Sequence, residues 1–344
     1  MSVPVLDVMT TTMLFPVLVT TVTVTAASLI LYLSRPVLVV QMYMRLAVLL
    51  SGMKIQYVKL GDHSLCYGER GRRRSDKSSI LLLHGFSADK FMWVPLVKNL
   101  SDYHVIALDL PGHGDSSTPK EDEDISFTGQ VVMVHQFVEA IGLNKEPFHL
   151  VGLSMGGSIA GLYAAQYPEE IERITMICPA MKTPKDSEVS IKIREIMETG
   201  DDETILKNCL FIPKTPEEMM NMLNFAQFYK PNFFFTNQIL QGAIEMRKPY
   251  HRYFFRLFKS LASWEHAFIL ENMAHKITVP SQLIWGEQDQ VIDVSGAKVL
   301  QEKLPNCQSV DIISRCGHAI NLDRPGSKTK AILKFRGELR TKQS

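Results

Sequence analysis

The chain has 344 residues, 46% of them hydrophobic, and its formal net charge at pH 7 is +1. This length can bury one large core, and the balanced charge gives no global basic field, so nucleic acid is not expected as a partner. The five cysteines are scattered and form no C-x-x-C pair, so the sequence indicates neither a disulfide framework nor a metal site. We expect no cofactor and a reducing compartment.

An uncharged segment opens the chain between Asp7 and Arg35, and its residues 13–33 match the roughly 20 residues that a helix needs to cross a bilayer core. A cleaved signal peptide is the alternative, because residues 26–28 are small. However, no Lys or Arg precedes the apolar run, and the run continues beyond any such cut. We therefore predict that residues 1–34 form an N-terminal stub and a single transmembrane anchor.

The basic residues near this anchor all follow it: Arg35, Arg45, Lys54 and Lys59. Because cytosolic flanks of membrane helices are enriched in Lys and Arg, this asymmetry places the N-terminus outside and the bulk of the chain in the cytosol. We expect a single-pass membrane protein with a cytosolic globular part.

Residues 35–52 form a predicted linker helix that is too short to cross the membrane again. Its strongly polar members between residues 36 and 50, Gln41 and Arg45, are spaced i and i+4 and share one helical face. The helix either lies in the membrane interface or packs against the globular part, and the sequence leaves both possibilities open.

Short apolar runs separated by turns follow Gly52. Residues 55–60 and 64–68 flank a Gly-Asp turn and predict a β-hairpin. Continuous apolar runs, typical of buried parallel strands, occur at 80–83, 105–108, 148–151, 174–177, 283–285 and 310–313. Because helical segments separate most of them, the predicted fold class is α/β, with a mostly parallel sheet wound with helices.

One region breaks this alternation. Residues 181–272 show helical patterns, no convincing strand and many Met and Phe residues. Such side chains usually belong to a core. In a lid over a pocket, the same side chains can pack against the protein and also line the pocket. We interpret residues 181–272 as an inserted helical cap, with the α/β core formed by residues 53–180 and 273–344.

The strongest local motif is Gly152-Leu153-Ser154-Met155-Gly156, between a predicted strand and a helical segment. A tight strand-to-helix turn needs small residues two positions before and after the serine, because side chains there would collide. The turn leaves the serine Oγ exposed at a helix N-terminus. Ser154 is therefore the predicted nucleophile.

An acid and then a histidine should follow such a serine in the chain. Asp289 lies just past the predicted strand 283–285, at the carboxyl edge of the sheet where ligands bind. Asp293 is the alternative acid, and we prefer Asp289 because it lies nearer the strand end. His318 follows the last strand, after a glycine that permits a turn, and is the predicted base.

The roles of these residues follow from their chemistry. His318 removes the proton of Ser154, Asp289 fixes the imidazole tautomer, and the serine Oγ attacks an ester carbonyl. The backbone N–H groups of Phe86 and Met155 are predicted to form the oxyanion hole.

Together the segments HGFSADKFMW, LDLPGHGDSS, HLVGLSMGG, IWGEQDQVIDVSGA and CGHAINLDRP resemble the α/β-hydrolase-domain lipases, from about Gly52 to the C-terminus. The anchor and the segments IPKTPEEM and QILQG are most similar to the membrane-bound monoacylglycerol lipases of that family. One departure is Asp323, where the family usually has Glu. It leaves the proposed triad intact and concerns the packing after His318.

The resemblance implies hydrolysis of monoacylglycerols, including the endocannabinoid 2-arachidonoylglycerol, and of lysophospholipids drawn from the bilayer. It implies a location at the cytosolic face of membranes, with late endosomal and lysosomal membranes among them. It also implies that Ser154, Asp289 and His318 form the triad, and that Phe86 and Met155 supply the oxyanion hole.

Other functions use the same fold. Dehalogenases and epoxide hydrolases use an aspartate nucleophile, so Ser154 argues against both. A thioesterase, another serine esterase, an acyltransferase or a carbon–carbon bond hydrolase could use the same triad, but the anchor and the Met- and Phe-rich cap favour long acyl chains. A non-catalytic membrane scaffold is the non-enzyme alternative, against which the intact serine, acid and histidine argue.

Overall fold

The computed structural model describes residues 6–198, 200–230 and 236–337. Residues 1–5 of the predicted anchor, residues 199 and 231–235 of the predicted cap and the C-terminal residues 338–344 lie outside the described residues.

An eight-stranded sheet forms the centre of the fold, in the order β1-β2-β4-β3-β5-β6-β7-β8. Its strands are Lys54–Leu60 (β1), His63–Arg70 (β2), Ile80–Leu83 (β3), Val105–Leu108 (β4), Phe148–Leu153 (β5), Ile171–Ile177 (β6), Ser281–Gly286 (β7) and Cys307–Ile313 (β8). The β1–β2 and β2–β4 pairs are antiparallel, and the other pairs are parallel. The predicted hairpin and the predicted mostly parallel α/β fold class are confirmed.

Several strands are longer than the apolar runs that predict them. β6 begins at Ile171 and β8 at Cys307, each three residues before the start of the predicted run. The added residues include polar ones such as Arg173, which pairs with His149 in β5. Because the ladder between strands uses backbone hydrogen bonds, a polar end extends a strand without an apolar signal.

Helices surround this sheet. Before β6 they are Leu6–Ser34 (α1), Pro36–Ser51 (α2), Val94–Lys98 (α3), Phe127–Ala140 (α4) and Met155–Gln166 (α5). Between β6 and β7 they are Glu188–Glu198 (α6), Asp202–Asn208 (α7), Pro216–Ala226 (α8), Asn237–Arg247 (α9), His251–Leu261 (α10), Trp264–Ala267 (α11) and Ile269–Met273 (α12). After β7 they are Ser295–Lys303 (α13), Ile320–Asp323 (α14) and Pro325–Phe335 (α15). The described residues between β6 and β7 contain no strand.

The central strands explain where a site can form. Every residue of β3, β4, β5 and β7 is buried, whereas the edge strand β1 is exposed or half-buried throughout. Parallel strands covered on both faces have continuous apolar runs, as the sequence of these strands does. Their carboxyl ends meet at one edge, which is where open α/β sheets bind ligands.

The apolar helix α1 stands apart from this core. Its residues Val17–Ser34 are long and apolar enough to cross a membrane, and none of them is buried in the protein. Pro36 occupies the first turn of α2, so a new helix begins directly after Arg35. The predicted single membrane-spanning anchor is therefore matched by one N-terminal apolar helix among the described residues.

A buried ion pair joins the loops that follow β3 and β4. Lys90 Nζ lies 2.6 Å from Asp109 Oδ2 and 2.7 Å from Asp115 Oδ2, and the side chains of Lys90 and Asp109 are fully buried. Asp109 Oδ1 also accepts the backbone N–H of Lys90 at 2.7 Å. Moving the two loops apart would leave an uncompensated buried charge, which is costly. The ion pair therefore ties the two loops together.

A second buried lysine has no such carboxylate partner among the described residues. Lys328 in α15 is fully buried, donates to Asn321 Oδ1 and lies 4.9 Å from the centre of the Trp93 ring. Burial lowers the pKa of Lys328 from 10.5 to about 7. Between those two pH values the unfolded chain binds a proton that the folded chain does not, so this group makes stability rise with pH across that window.

We expect Lys328→Met to stabilise the protein most near pH 7, with an advantage over the unaltered chain that shrinks as the pH rises towards 10. Methionine has similar length and requires no deprotonation on burial. The free energy of unfolding, measured by denaturant titration in detergent at several pH values, tests this. Lys330→Met, at an exposed position of the same helix, is the control and should show a difference that does not vary with pH. A pH-independent effect of Lys328→Met would contradict the assignment.

Candidate active site

Ser154 lies at the turn between β5 and α5. Its backbone has φ 54° and ψ −120°, in a region that residues other than glycine rarely adopt. A Cβ atom at Gly152 would lie 2.0 Å from the Gly156 carbonyl oxygen, and one at Gly156 would lie 2.4 Å from the carbonyl oxygens of Leu83 and His84. The turn is thus pressed against the end of β3, which explains why both flanking residues are glycines.

The histidine and the acid predicted from the sequence lie side by side. His318 Nδ1 is 2.8 Å from Asp289 Oδ2, and the Asp289 side chain is fully buried. The other carboxylate oxygen, Oδ1, accepts the backbone N–H groups of Val291 at 2.8 Å and Ile292 at 2.9 Å. These contacts fix the carboxylate, so that it can orient the imidazole.

The alternative acid, Asp293, has a different role. Its Oδ1 accepts the backbone N–H of Ser295 at 2.9 Å, at the start of α13, and its Oδ2 lies 3.9 Å from Lys185 Nζ. The structure therefore brings Asp289, and not Asp293, to His318.

Asp323, the departure from the family pattern, secures the turn that carries His318. Its Oδ2 accepts the backbone N–H groups of Gly317 and Phe228, each at 2.8 Å, and its Oδ1 accepts that of Tyr229 at 3.1 Å. The shorter aspartate side chain thus links the histidine turn to the chain segment after α8.

Sequence reasoning missed Cys178, which directly follows β6. Its Sγ lies 3.6 Å from the His318 carbonyl oxygen, and one ligand-type atom each of Cys178, Asp289 and His318 lies within 4.8 Å of the others. Burial, followed by the charge of Asp289, raises the pKa of Cys178 well above its usual range. The sulfur therefore stays protonated, which disfavours both metal ligation and thiolate chemistry. Its position just past a strand end was the available signal.

The segment from Cys178 to Ala180 touches both halves of the site. The backbone N–H of Ala180 donates to the Ser154 carbonyl oxygen at 3.0 Å, while Cys178 contacts His318. Within the described residues, no hydrogen bond joins the Ser154 side chain to His318. Such contacts often tighten only when substrate binds.

The loop after β3 supplies the predicted oxyanion donor Phe86. A Cβ atom at Gly85 would lie 3.3 Å from Ser154 Cβ, so this loop lies against the nucleophile. Neither the Phe86 nor the Met155 backbone N–H donates to another group of the described residues, which leaves both free for a substrate oxygen. The Phe86 ring packs against Phe254 in α10, with ring centres 5.6 Å apart.

His84 links this loop to the loop after β4. Its Nε2 accepts the backbone N–H of Leu110 at 2.9 Å, and its Nδ1 lies 2.8 Å from the Gly85 carbonyl oxygen. Burial lowers the pKa of His84 to about 4, so the ring is neutral at physiological pH. A neutral histidine with both nitrogens engaged acts as a structural support.

A second set of possible metal ligands, Cys66, Asp109 and Asp115, lies outside this site. The two carboxylates of this set already contact the ammonium group of Lys90. The geometry of the candidate site is that of nucleophilic acyl transfer: a half-buried serine at a helix N-terminus, an oriented histidine and two free N–H groups.

Comparisons with known proteins agree with this geometry. Residues 79–202 match the model of the alpha/beta hydrolase fold family. The chain is 42% identical to monoacylglycerol lipase ABHD6 of Homo sapiens over 83% of this chain and 82% of that protein. It is 41% identical to monoacylglycerol lipase abhd6-A of Xenopus laevis over 85% of each chain.

A solved structure adds to this. A membrane phospholipase A described as a bacterial virulence factor superimposes with a TM-score of 0.77 at 29% identity, over 93% of this chain and 97% of that one. The resemblance inferred from the motifs is thereby confirmed. With such identity over most of its length, the chain belongs to the ABHD6 family of monoacylglycerol lipases, on the α/β-hydrolase fold.

Proposed function

We propose that this protein is a membrane-anchored serine hydrolase that cleaves monoacylglycerols, such as 2-arachidonoylglycerol, to free fatty acid and glycerol. The observation that carries the proposal is the Asp289–His318 pair at the same sheet edge as the strained Ser154 turn. The relatives with the highest identity given above are named monoacylglycerol lipases, which supplies the substrate class.

The mechanism follows from the positions of these groups. With His318 Nδ1 bonded to Asp289, Nε2 is the nitrogen that takes the Ser154 proton as Oγ attacks the ester carbonyl. The Phe86 and Met155 N–H groups stabilise the oxyanion, and one such donor contributes about 3 kcal/mol in a well-studied protease. His318 then protonates the departing glycerol. In the second half of the reaction, His318 removes a proton from water, the water oxygen attacks the acyl carbonyl, and Ser154 takes the proton back as the fatty acid leaves.

The helices α6–α12 form the proposed cap over this site, corresponding to the predicted residues 181–272. Phe211 and Phe254, from the cap, both pack on the Phe86 ring of the oxyanion loop. Pockets for apolar ligands are lined mainly by hydrophobic and aromatic side chains, so these rings suit an acyl chain.

Lysophospholipids are a second candidate substrate class. The observation that favours them is the likeness to a membrane phospholipase A over 93% of this chain. A lysophospholipid has the same single acyl ester as a monoacylglycerol and differs in its headgroup, so one triad can serve both.

We propose that the catalytic domain faces the cytosol, because basic residues follow the anchor. We also propose that the protein resides on late endosomal or lysosomal membranes, as the family resemblance implies. In cells that express the chain with a C-terminal tag, protease added outside intact organelles should remove the tag. The protein should also co-distribute with endosomal and lysosomal markers. Protection of the C-terminal tag would contradict the orientation, and a uniform plasma-membrane distribution would contradict the location.

The triad assignment predicts the activity of two variants. Ser154→Ala should lower kcat about a million-fold, to below detection, because the nucleophile is lost. Asp289→Asn should lower kcat about ten-thousand-fold, because the wrong imidazole tautomer is then favoured. The measurement is fatty-acid release from 2-arachidonoylglycerol and from a lysophospholipid in detergent.

Asp293→Asn is the matched control, because it makes the same change at the acid that does not contact His318. It should retain activity close to that of the unaltered chain. A greater loss in Asp293→Asn than in Asp289→Asn would assign the acid to Asp293. Full activity in Ser154→Ala would refute the serine mechanism.

A further inference from the structure

Helix α2 has an apolar face that the rest of the described protein does not cover. Its large apolar side chains between 43% and 73% exposed are Leu38, Met42, Tyr43, Leu46, Leu49 and Leu50. Positions 38, 42, 46 and 49 follow the spacing of one helical face. A contiguous exposed apolar surface of this kind marks an interaction site.

The other face of α2 packs against the protein. Val48 and Ser51 are buried, and α9 lies so close that a Cβ atom at Gly242 would be 2.7 Å from the Pro36 carbonyl oxygen. The Tyr32 hydroxyl, near the end of α1, lies 2.5 Å from Thr236 Oγ1 at the N-terminus of α9. Helix α2 therefore packs against the globular domain through one face, while its other face remains open.

The position of α2 identifies the occupant. The spanning part of α1 ends at Ser34, and α2 begins at Pro36, so its first turn lies at the membrane surface. Its 16 residues extend about 24 Å, too short to cross the bilayer. Arg45 is the charged residue within it, and a long basic side chain can keep its head in water while its stem lies in lipid.

We propose that the open face of α2 lies in the lipid bilayer interface, as a second membrane contact that holds the catalytic domain against the membrane. The bilayer, and not a second copy of the chain, is the proposed occupant, since the face is continuous with the spanning helix. This inference depends on the anchor and not on the hydrolase activity.

Depth-dependent fluorescence quenching tests this proposal on the full chain in phosphatidylcholine vesicles. In Leu46→Trp, phosphatidylcholine brominated near the headgroup should quench the introduced indole several-fold more strongly than in Val132→Trp. Val132 is the matched control, because it is 43% exposed on α4 of the globular domain. Fluorescence of the unaltered chain corrects for its native tryptophans.

Two results would overturn the proposal. Equal quenching at both positions would place the α2 face in water. An indole at position 46 that is shielded from both brominated lipid and aqueous iodide would show that protein covers the face.

A separate observation concerns Arg247, the last residue of α9. Its Nη2 donates to Ser87 Oγ and, at 3.3 Å, to the Phe211 carbonyl oxygen, and its Nη1 lies 3.8 Å from Met219 Sδ. No carboxylate of the described residues forms a salt bridge with it. Burial lowers the pKa of Arg247 to about 10, which leaves the guanidinium charged at physiological pH.

The Ser87 contact reaches the oxyanion loop. Ser87 directly follows Phe86 and has φ 54°. This conformation is energetically costly for a residue other than glycine, and it persists only where the surrounding structure fixes it. A hydrogen bond from a charged donor is stronger than one between neutral groups. Arg247 thus fastens the residue next to a proposed oxyanion donor.

We infer that Arg247 is a positioning residue that holds the oxyanion loop in its catalytic conformation. This inference rests on the proposed function. It also makes the cap helix α9 a link between α2, at the membrane, and the oxyanion loop.

Kinetics on a soluble short-chain ester test the inference. Arg247→Gln and Ser87→Ala should each lower kcat by about tenfold to a hundredfold, with KM nearly unchanged, because the oxyanion donor is displaced. The kcat of the double variant should be no lower than that of the less active single variant, since both substitutions remove the same Arg247–Ser87 contact. Arg247→Lys should restore part of kcat.

Arg256→Gln is the matched control, because Arg256 also donates to backbone carbonyls, those of Lys120 and Glu121, but on the exposed side of α10. It should leave kcat unchanged. A raised KM with normal kcat, or additive losses in the double variant, would overturn the positioning role. Absence of activity of the unaltered chain on both this ester and a monoacylglycerol would instead refute the proposed function.

Discussion

The close approach of one turn to one strand end is the constraint on which the rest of the site depends. The backbone of Gly156 lies so near the carbonyl oxygens that end β3 that no side chain fits there, and Gly152 lies equally near Gly156. This contact forces Ser154 into a positive φ. The strained serine is therefore presented at the sheet edge next to the loop that carries Phe86.

The remaining groups are placed by the ends of neighbouring strands. Asp289 follows β7, His318 follows β8 and Cys178 follows β6, so the parallel order of the sheet brings three distant parts of the chain together. Buried contacts then remove their freedom: the Asp289 carboxylate accepts two backbone N–H groups besides facing His318. A group held in this way would need little reorganisation during the proposed reaction.

The sequence predicts those parts of the molecule whose cause is local. Buried parallel strands appear as apolar runs, and the serine turn appears as a glycine pattern, because each depends on residues close together in the chain. The choice between Asp289 and Asp293 could be only a preference, since both follow the same strand. It takes the position of the distant His318 to separate them.

Features that join distant segments leave no such pattern. The Lys90–Asp109 pair and the Arg247–Ser87 contact consist of ordinary polar residues whose partners are far away in the chain. The sequence also does not identify the neighbour of the apolar face of α2, because apolar residues suit a protein neighbour as well as lipid. Only the packing of α9 on one side shows which residues stay open.

The central claim is that the acyl group passes through Ser154, and its most direct test is to trap that intermediate. The full chain is mixed with a monoacylglycerol, quenched with acid within the first turnover, digested and mapped by mass spectrometry. The account predicts the acyl mass on the peptide that contains Ser154. An acyl group on the neighbouring thiol of Cys178, or on no residue while fatty acid is released, would contradict it.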